Sequence, residues 1–381
     1  LELRALVRSA RKADAMEELR AEIQGLIERV RKDQQPTLAR AHHLLGIALL
    51  RLERVGDAED AFGTALELVE DAPARVWILD GFGQALAGQG AWVEAERTHA
   101  YALDAKQRAG DVLGVAITTG TLARLHVSLG QPEAAIEVLR DTLGQFGRSL
   151  SAMTSLRLVT HLLDASLDAD AESEVRRQVP VLRSLLEKTE GGKHYLRGFA
   201  ALALARAAER DGDERRVRDR LAEAARYLNL PDQAALVQYW AARLLPSASE
   251  TDDWLENLKS TVASVAVATE AELRGYVLAA ERAADRDDTD GMQQHLRRAL
   301  TLATESNNRL WLQWVDDVYG RLDPARLTEV MVERFSGRTV EELSRTTSET
   351  ATIVFADLVD FTKRSVKLEP EEVMATVRSL F

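Results

Sequence analysis

A pattern of small and large residues recurs along most of the chain, and it constrains the fold more than any other feature of the sequence. Gly46 is followed 12, 16 and 19 positions later by Ala58, Phe62 and Ala65. The same offsets return in four further sets: Gly83 with Ala95, His99 and Ala102; Ala123 with Ala135, Leu139 and Thr142; Ala205 with Val217, Leu221 and Ala224; and Ala280 with Met292, Leu296 and Ala299. Self-similarity at such a period, with helical spacing inside each copy, predicts stacked pairs of helices.

The distances between copies give the number of repeats. The small position recurs after 37 and then 40 residues, whereas the later gaps of 82 and 75 residues leave room for one degenerate copy each, around Leu163 and Arg243. The sequence therefore predicts about seven helical pairs. Gly90, Gly130 and Gly212 each precede the first small residue of a second helix by five positions. We expect them in the turns between helices, where glycine tolerates positive φ.

This pattern resembles the tetratricopeptide family from Pro36 to Asn307, closely in the first three copies and faintly afterwards. Small residues such as Gly46, Gly83, Ala58 and Ala95 would let helices approach, and Phe62 would fill the space between repeats. The resemblance implies an all-α solenoid, since single pairs cannot bury their own faces. It also implies a concave surface for a protein or peptide partner. The alternative is an array that serves only as a spacer.

The segments around the repeats read as helices and connectors. Residues 1–35 are predicted to form N-terminal helices, and a capping helix with Trp311 and Trp314 on its apolar face is expected after Asn308. Asp323 and Pro324 should end that helix, and 325–335 is a further amphipathic helix. The predicted domains are 1–35 (N-terminal helices), 36–307 (repeats), 308–349 (capping helix and linker) and 350–381 (the start of another domain).

Composition excludes several function classes. A net charge of −12 and a pI near 5.3 disfavour binding to nucleic acid. The absence of cysteine excludes disulfides and thiolate chemistry and fits the cytoplasm, where we place the protein. Uncharged apolar stretches such as 112–123 are shorter than the ~20 residues of a spanning helix, so no membrane segment is expected. The chain opens at Leu1 rather than at methionine, and we expect it to be a piece of a longer protein.

Other residue types are interpreted as structural. The seven histidines are scattered through the repeats without ligand spacing, so we expect no metal site there. The tryptophans at 77, 92, 240, 254, 311 and 314 lie among apolar neighbours and are expected to pack in the core rather than to form a ligand cage.

Near the C-terminus the composition switches from helix formers to β-branched and aromatic residues, in a stretch from Thr350 to Thr362. It predicts a short strand that ends in a carboxylate and a tight turn. The run Phe355-Ala356-Asp357-Leu358-Val359-Asp360-Phe361-Thr362 is similar to the first strand and turn of class III adenylate and guanylate cyclases. The following 369–381 resembles the first helix of those domains, so the resemblance implies the beginning of a truncated α/β, ferredoxin-like cyclase domain.

The resemblance also implies roles for particular residues. Asp357 and the carbonyl of Leu358 would hold Mg²⁺ or Mn²⁺, and Phe361 and Thr362 would lie beside the triphosphate of ATP or GTP. Asp360 stands where the family has glycine, so it would either repel nucleotide or help to hold metal. A complete catalytic site is not expected within these 381 residues, because the sequence stops before the second metal carboxylate. Such cyclases act as dimers, so a homodimer through this domain is expected.

Two hypotheses follow from these observations. The first is the regulatory region of a class III nucleotide cyclase, which converts ATP or GTP to cyclic nucleotide and pyrophosphate by a two-metal mechanism. The alternative is a non-enzymatic scaffold for protein–protein interaction that carries a degenerate cyclase remnant.

Overall fold

The computed structural model describes residues 13–30, 34–52, 54–189, 195–228, 231–245, 255–258, 260–261, 270–305 and 309–336. Within these ranges every regular element is helical, which confirms the predicted all-α class. The chain divides into two compact units, Leu1–Val318 and Tyr319–Phe381, which are described separately.

The helices of the first unit form consecutive pairs. In chain order they are α1 (Ala13–Arg29), α2 (Gln35–Arg51), α3 (Val55–Leu68), α4 (Ala72–Gln89), α5 (Trp92–Arg108), α6 (Val112–Ser128), α7 (Pro132–Phe146), a 3-10 turn (Gly147–Ser149), α8 (Ala152–Asp168), α9 (Glu172–Lys188), α10 (Tyr195–Arg210), α11 (Glu214–Tyr227), α12 (Pro231–Leu244), α13 (Glu270–Asp285) and α14 (Thr289–Glu305). The next helix, α15 (Arg309–Leu322), begins in the first unit and ends in the second. Repeats 1 to 5 are the pairs from α2–α3 to α10–α11, repeat 6 is α12 with the helical residues 255–258, and repeat 7 is α13–α14.

The residues at the predicted offsets form the centre of each pair. Ala58, Ala95, Ala135, Leu139 and Leu296 are among those with no accessible surface. The sixth repeat lies around Arg243, as predicted, and the structure fixes its register. Ala242, with no accessible surface, takes the small position, whereas Arg243 lies on the exposed side. Two adjacent alanines, Ala241 and Ala242, precede Arg243, so the sequence leaves the register of this degenerate copy open.

Close helix approach depends on two glycines that face the ring of Phe62. A Cβ atom built on Gly46 would lie 2.7 Å from the Phe62 Cε1 atom, and one built on Gly81 would lie 2.3 Å from its Cζ atom. Phe62 therefore fills the space between the first helices of repeats 1 and 2, as predicted. In repeat 2 the ring of His99 takes the equivalent place against Gly83, at 2.7 Å from the built Cβ.

The turns within the repeats have left-handed backbone at one fixed position, seven residues after the small one. Gly90, Gly130 and Gly212 have φ values of 83°, 69° and 68°, which confirms the expectation for these glycines. Asp170 and Asp287 take the same position in repeats 4 and 7, with φ values of 51° and 58°. Left-handed backbone is unfavourable for residues that carry a Cβ atom, so these two turns are strained relative to their glycine counterparts.

The first helices of successive repeats pack side by side in one continuous layer, α2, α4, α6, α8, α10, α12 and α13. Each second helix packs on its own partner and on the next first helix, and the described second helices do not pack on one another to a comparable extent. In a curved stack the layer whose members touch lies on the inside. We call its accessible surface the inner face.

The second unit contains the helix α16 (Pro324–Ser336), which follows Asp323. The Asp323 carboxylate accepts a hydrogen bond of 3.1 Å from the backbone N–H of Arg326, and this cap explains why the helix begins at Pro324. The predicted strand at 350–362 and the helix at 369–381 lie outside the described residues. The domain boundaries predicted at 307/308 and 349/350 stay predictions.

None of the helices that the structure describes has the length and apolar character needed to cross a membrane.

Candidate functional site: the inner face of the repeats

The inner face carries a row of polar side chains, one position after the small residue of each first helix. Its members in repeats 2 to 7 are Gln84, Arg124, Asp164, Arg206, Arg243 and Glu281. Two ion pairs connect neighbouring members: Arg206 Nη1 donates to Asp164 Oδ1 at 2.7 Å, and Arg243 Nη1 donates to Glu281 Oε2 at 2.5 Å. These residues lie about one repeat apart in sequence, so the ion pairs between them connect the first helices of successive repeats.

Arg206 is the most connected member of this row. Besides Asp164, its guanidinium donates to Asp168 Oδ1 at 2.5 Å and lies 4.6 Å from the ring centroid of Trp240. Its side chain is only 16% exposed. Burial alone would lower the pKa of Arg206, but Asp164 and Asp168 outweigh burial and raise it. One guanidinium thus holds together the first helices of repeats 4, 5 and 6.

Asp164 stays accessible from the inner face, with 36% of its side chain exposed. Desolvation by the surrounding protein nevertheless raises the pKa of this carboxyl to about 6, against an opposing effect of Arg206 and Arg274 and with a further increase from Asp168. Asp164 is therefore the acidic group of this surface most ready to take up a proton near neutral pH.

A second cluster lies at the start of α13. Arg274 Nη2 lies 2.7 Å from Glu270 Oε1, and its guanidinium lies 5.8 Å from the ring centroid of Tyr239 and 5.4 Å from that of Trp314. Arg274 and, less strongly, Arg124 lower the pKa of Glu270, while burial opposes them.

These electrostatic effects act between distant repeats. Arg124 belongs to repeat 3 and Glu270 to repeat 7, and the charge of Arg274 in repeat 7 acts on Asp164 in repeat 4. The charges of the third, fourth and seventh first helices therefore influence one another's ionisation.

A third group lies where repeats 3 and 4 meet. His161 on α8 packs over Gly120 on α6, whose built Cβ would lie 3.4 Å from His161 Cδ2. Arg124 follows Gly120 by one helical turn on α6, and Arg157 precedes His161 by one turn on α8. Burial, together with the charges of Arg124 and Arg157, lowers the pKa of His161 to about 3, and the ring is neutral at physiological pH.

At the other end of the array a pocket opens between repeats 1 and 2, with a volume of about 880 Å³. Its wall combines apolar side chains with Arg40, His43 and Trp77 from the two first helices and with Glu70 and Asp71 from the turn between α3 and α4. A wall of this composition suits an apolar side chain with polar groups at its rim.

Sequence reasoning missed a buried polar cluster beneath this pocket. Lys106 is only 2% exposed, and its ammonium donates to Asp80 and, at 2.8 Å, to the hydroxyl of Thr118. Thr118 donates to Asp80 Oδ1 at 2.8 Å, and the ammonium also lies 4.3 Å from the ring centroid of Trp77. Burial raises the pKa of Asp80 although Lys106 opposes that effect. One signal was present: Lys106 continues the buried column of Ala95, His99 and Ala102 at helical spacing, and a lysine in such a column requires a buried partner.

The predicted role of tryptophan changes accordingly. Trp240 packs against the hydrophobic core, as predicted, and Trp77, Trp240 and Trp314 each carry a cation on the ring face, from Lys106, Arg206 and Arg274 respectively. Trp254 lies outside the described residues.

The residues predicted to bind metal and nucleotide also lie outside the described part of the chain. They are Asp357, Leu358, Asp360, Phe361 and Thr362. Among the described residues, no three histidine, aspartate or glutamate side chains are arranged to hold a metal ion.

Comparison with known proteins gives the fold. No protein-family model and no curated protein matches the chain. Among solved structures, a Rap protein complexed with Competence and Sporulation Factor matches with a TM-score of 0.54 at 13% identity, over 80% of this chain and 96% of that one. The chain has a tetratricopeptide-like repeat fold.

Two further structures show lower similarity. A tetratricopeptide repeat protein from Parabacteroides merdae has a TM-score of 0.46 at 13% identity, over 72% of this chain and 99% of that one. The TPR2AB-domain:pHSP90 complex of yeast Sti1 has a TM-score of 0.29 at 15% identity, over 75% and 98%. At these identities the comparisons concern the fold alone.

Proposed function

We propose that the repeat array is an interaction module that binds a peptide or an extended segment of a partner protein along its inner face. The observation that carries this proposal is the continuous layer of first helices, whose buried positions repeat small residues while its accessible row varies in charge. That row holds Gln84, two carboxylates (Asp164 and Glu281) and three arginines. Repeated residues at the buried positions keep the helices stacked, and varied side chains at the accessible positions let the surface select a ligand by its sequence.

The chemistry of the inner face supports an extended ligand. The pocket between repeats 1 and 2 offers apolar contact, and the inner face of repeats 3 to 7 offers guanidinium and carboxylate groups together with aromatic rings. Aromatic and arginine side chains contribute most of the binding energy in many interfaces. The similar Rap structure contains Competence and Sporulation Factor. That complex is consistent with ligand binding by this fold. This chain shares only the fold with the Rap structure.

The test is a selection of peptides from a random library on the full 381-residue chain, followed by hydrogen exchange of the complex. We expect the selected peptides to protect the first helices α4, α6, α8, α10 and α13 more than the second helices α5, α7 and α9. Protection confined to the second helices, or a library that yields no binder, would refute the proposal and favour a spacer role.

We propose further that this module regulates a class III nucleotide cyclase domain that begins at Thr350. The support is the run Phe355–Thr362, with Asp357 and the carbonyl of Leu358 to hold Mg²⁺ or Mn²⁺ and Phe361 and Thr362 beside the triphosphate of ATP or GTP. The metal would lower the pKa of the ribose 3′ hydroxyl and neutralise the pyrophosphate leaving group. Two such domains would pair as a homodimer.

This second proposal is tested in a protein that continues beyond Phe381 with the rest of such a domain. Asp357→Ala is expected to abolish formation of cyclic nucleotide, whereas Asp360→Gly, which restores the family residue, should retain it. A coding sequence that stops at Phe381, or unchanged turnover after Asp357→Ala, would instead favour the non-enzymatic scaffold.

A further inference from the structure

We propose that the junction between repeats 2 and 3 is an acid-sensitive joint of the array, and that His99 is the group that takes up the proton. Protonation of this side chain would loosen the packing of α5 between α4 and α6. The pocket of repeats 1 and 2 would then separate from the polar inner face of repeats 3 to 7. The inference concerns the stability of the array and does not depend on what the inner face binds.

His99 occupies the position at which neighbouring repeats place an apolar side chain. Repeat 1 has Phe62 there, and repeat 3 has Leu139. The imidazole has no accessible surface and lies against Gly83, 2.7 Å from where a Cβ atom would be. The same distance separates the ring of Phe62 from a Cβ atom built on Gly46. In repeat 2 a titratable ring therefore fills the space that an apolar ring fills in repeat 1.

The surroundings of His99 provide no partner for a positive charge. Neither ring nitrogen has a hydrogen-bond partner among the described residues. Asp80 Oδ1 lies 4.0 Å from Nδ1 of the imidazole, beyond hydrogen-bonding distance. Both oxygens of this carboxylate are already used, since Lys106 donates to Oδ2 and Thr118 donates to Oδ1. A proton on His99 would thus add a second buried cation to a cluster with one carboxylate, which is unfavourable.

The other charged groups of this junction act in the same direction or act elsewhere. Burial has the largest effect on His99, and the charges of Lys106 on α5 and of His126 on α6 add to it, so that its pKa falls from the usual 6.5 to about 4. Glu96 lies 3.9 Å from Nε2 of His126 and is 46% exposed. Asp111, which precedes α6, acts on Asp80. The folded junction therefore accommodates the neutral ring.

The direction of the pH dependence follows from this difference between the folded and the opened junction. Once the junction opens, the imidazole meets water and regains a pKa near 6.5, so the open state binds the proton more readily. The population of the open state therefore rises as the pH falls below about 6.5 and levels off below about 4. Between pH 7 and 5 the opening equilibrium should shift by about 20-fold through His99 alone.

Hydrogen exchange of the full chain at pH 7, 6 and 5, corrected for intrinsic exchange rates, measures this opening helix by helix. We expect the protection of α4, α5 and α6 to fall about 20-fold more between pH 7 and 5 than it does in His99→Phe, which carries the residue of repeat 1. His99→Leu carries the smaller residue of repeat 3 and gives the same comparison should the larger ring prevent folding. The control is His295→Leu on α14, which should keep the pH dependence of the unchanged chain.

The ring NMR signal of His99, assigned through its loss in the same variants, gives an independent measurement. We expect this signal to show no titration step between pH 7 and 5 in the folded chain. Equal pH dependence of α4, α5 and α6 in the unchanged chain and in His99→Leu would overturn the proposal, and so would a titration midpoint of His99 near 6.5. Because no ligand is present, these results are independent of the peptide selection that tests the proposed function.

Discussion

Replacing Gly81 by alanine is expected to destabilise the junction between repeats 1 and 2, although alanine is the better helix former. The added Cβ would lie 2.3 Å from Cζ and 2.5 Å from Cε1 of Phe62. Carbon atoms in contact prefer about 3.5–4.0 Å, so the ring would have to move by more than ~1 Å. Phe62 has no accessible surface and also lies against Gly46, at 2.7 Å from its built Cβ, so the ring has no space to enter.

The magnitude follows from two opposing effects. Overpacking a rigid core costs about 1–3 kcal/mol, and a clash with groups on both sides of the ring belongs at the upper end. Alanine recovers up to about 1 kcal/mol through its helix propensity. We therefore expect Gly81→Ala to lower the free energy of unfolding of this region by about 2 kcal/mol.

The control is Gly63→Ala, one position after Phe62 on α3. A Cβ atom there would meet no heavy atom within 4 Å, so only helix propensity acts and we expect stabilisation by up to about 1 kcal/mol. Urea unfolding followed by circular dichroism gives the global effect. Hydrogen exchange of α2, α3 and α4 gives the local effect, which is needed because repeat arrays can unfold in parts. Combining Gly81→Ala with Phe62→Leu should recover part of the loss. Equal stabilisation by Gly81→Ala and Gly63→Ala would refute the packing argument.

Three further predictions concern the polar cluster, a strained turn and the inner face. Lys106→Met should lower the free energy of unfolding by about 3–5 kcal/mol because it leaves the Asp80 carboxylate buried without its cation. Adding Asp80→Asn should restore most of this stability in urea unfolding, and no recovery would contradict the explanation. Asp287→Gly should stabilise the chain by roughly 0.5–1 kcal/mol by removing left-handed strain, whereas Gly212→Ala at the equivalent position should destabilise it; the opposite signs would be evidence against strain. Burial raises the pKa of Asp164 from 3.8 to about 6. The protonated carboxyl therefore stabilises the folded state, and this stabilisation is lost as the pH rises from about 4 through 6. Between pH 4 and 7 the unchanged chain should therefore lose stability relative to Asp164→Asn, and an NMR titration midpoint near 4 for Asp164 would contradict this.

The order of the helices was available in the sequence because each pair is specified by local spacing. Ala58, Phe62 and Ala65 recur at helical intervals, and those intervals place them on one face whatever the rest of the chain does. Gly130 and Gly212 mark their turns for the same local reason. The sequence left the exact register open around Ala242, where the copy is degenerate. It said nothing of Asp170 and Asp287, because aspartate does not require positive φ as clearly as glycine does.

The polar sites could not be read from the sequence in this way. Lys106 lies 26 residues from Asp80 and 12 from Thr118, and only the packing of α5 between α4 and α6 brings the three together. The same holds for Arg206, whose partners belong to the preceding and following repeats.

The sequence by itself thus determined an all-α array of tetratricopeptide-like pairs, together with the buried register of most of its repeats, because helical periodicity and small-residue spacing act over a few turns of chain. Only the tertiary structure decided the character of the inner face. Across the layer of first helices the charge of Arg124 acts on Glu270 and the charge of Arg274 acts on Asp164. These effects depend on every interface between the repeats concerned, so no local pattern in the sequence contains them.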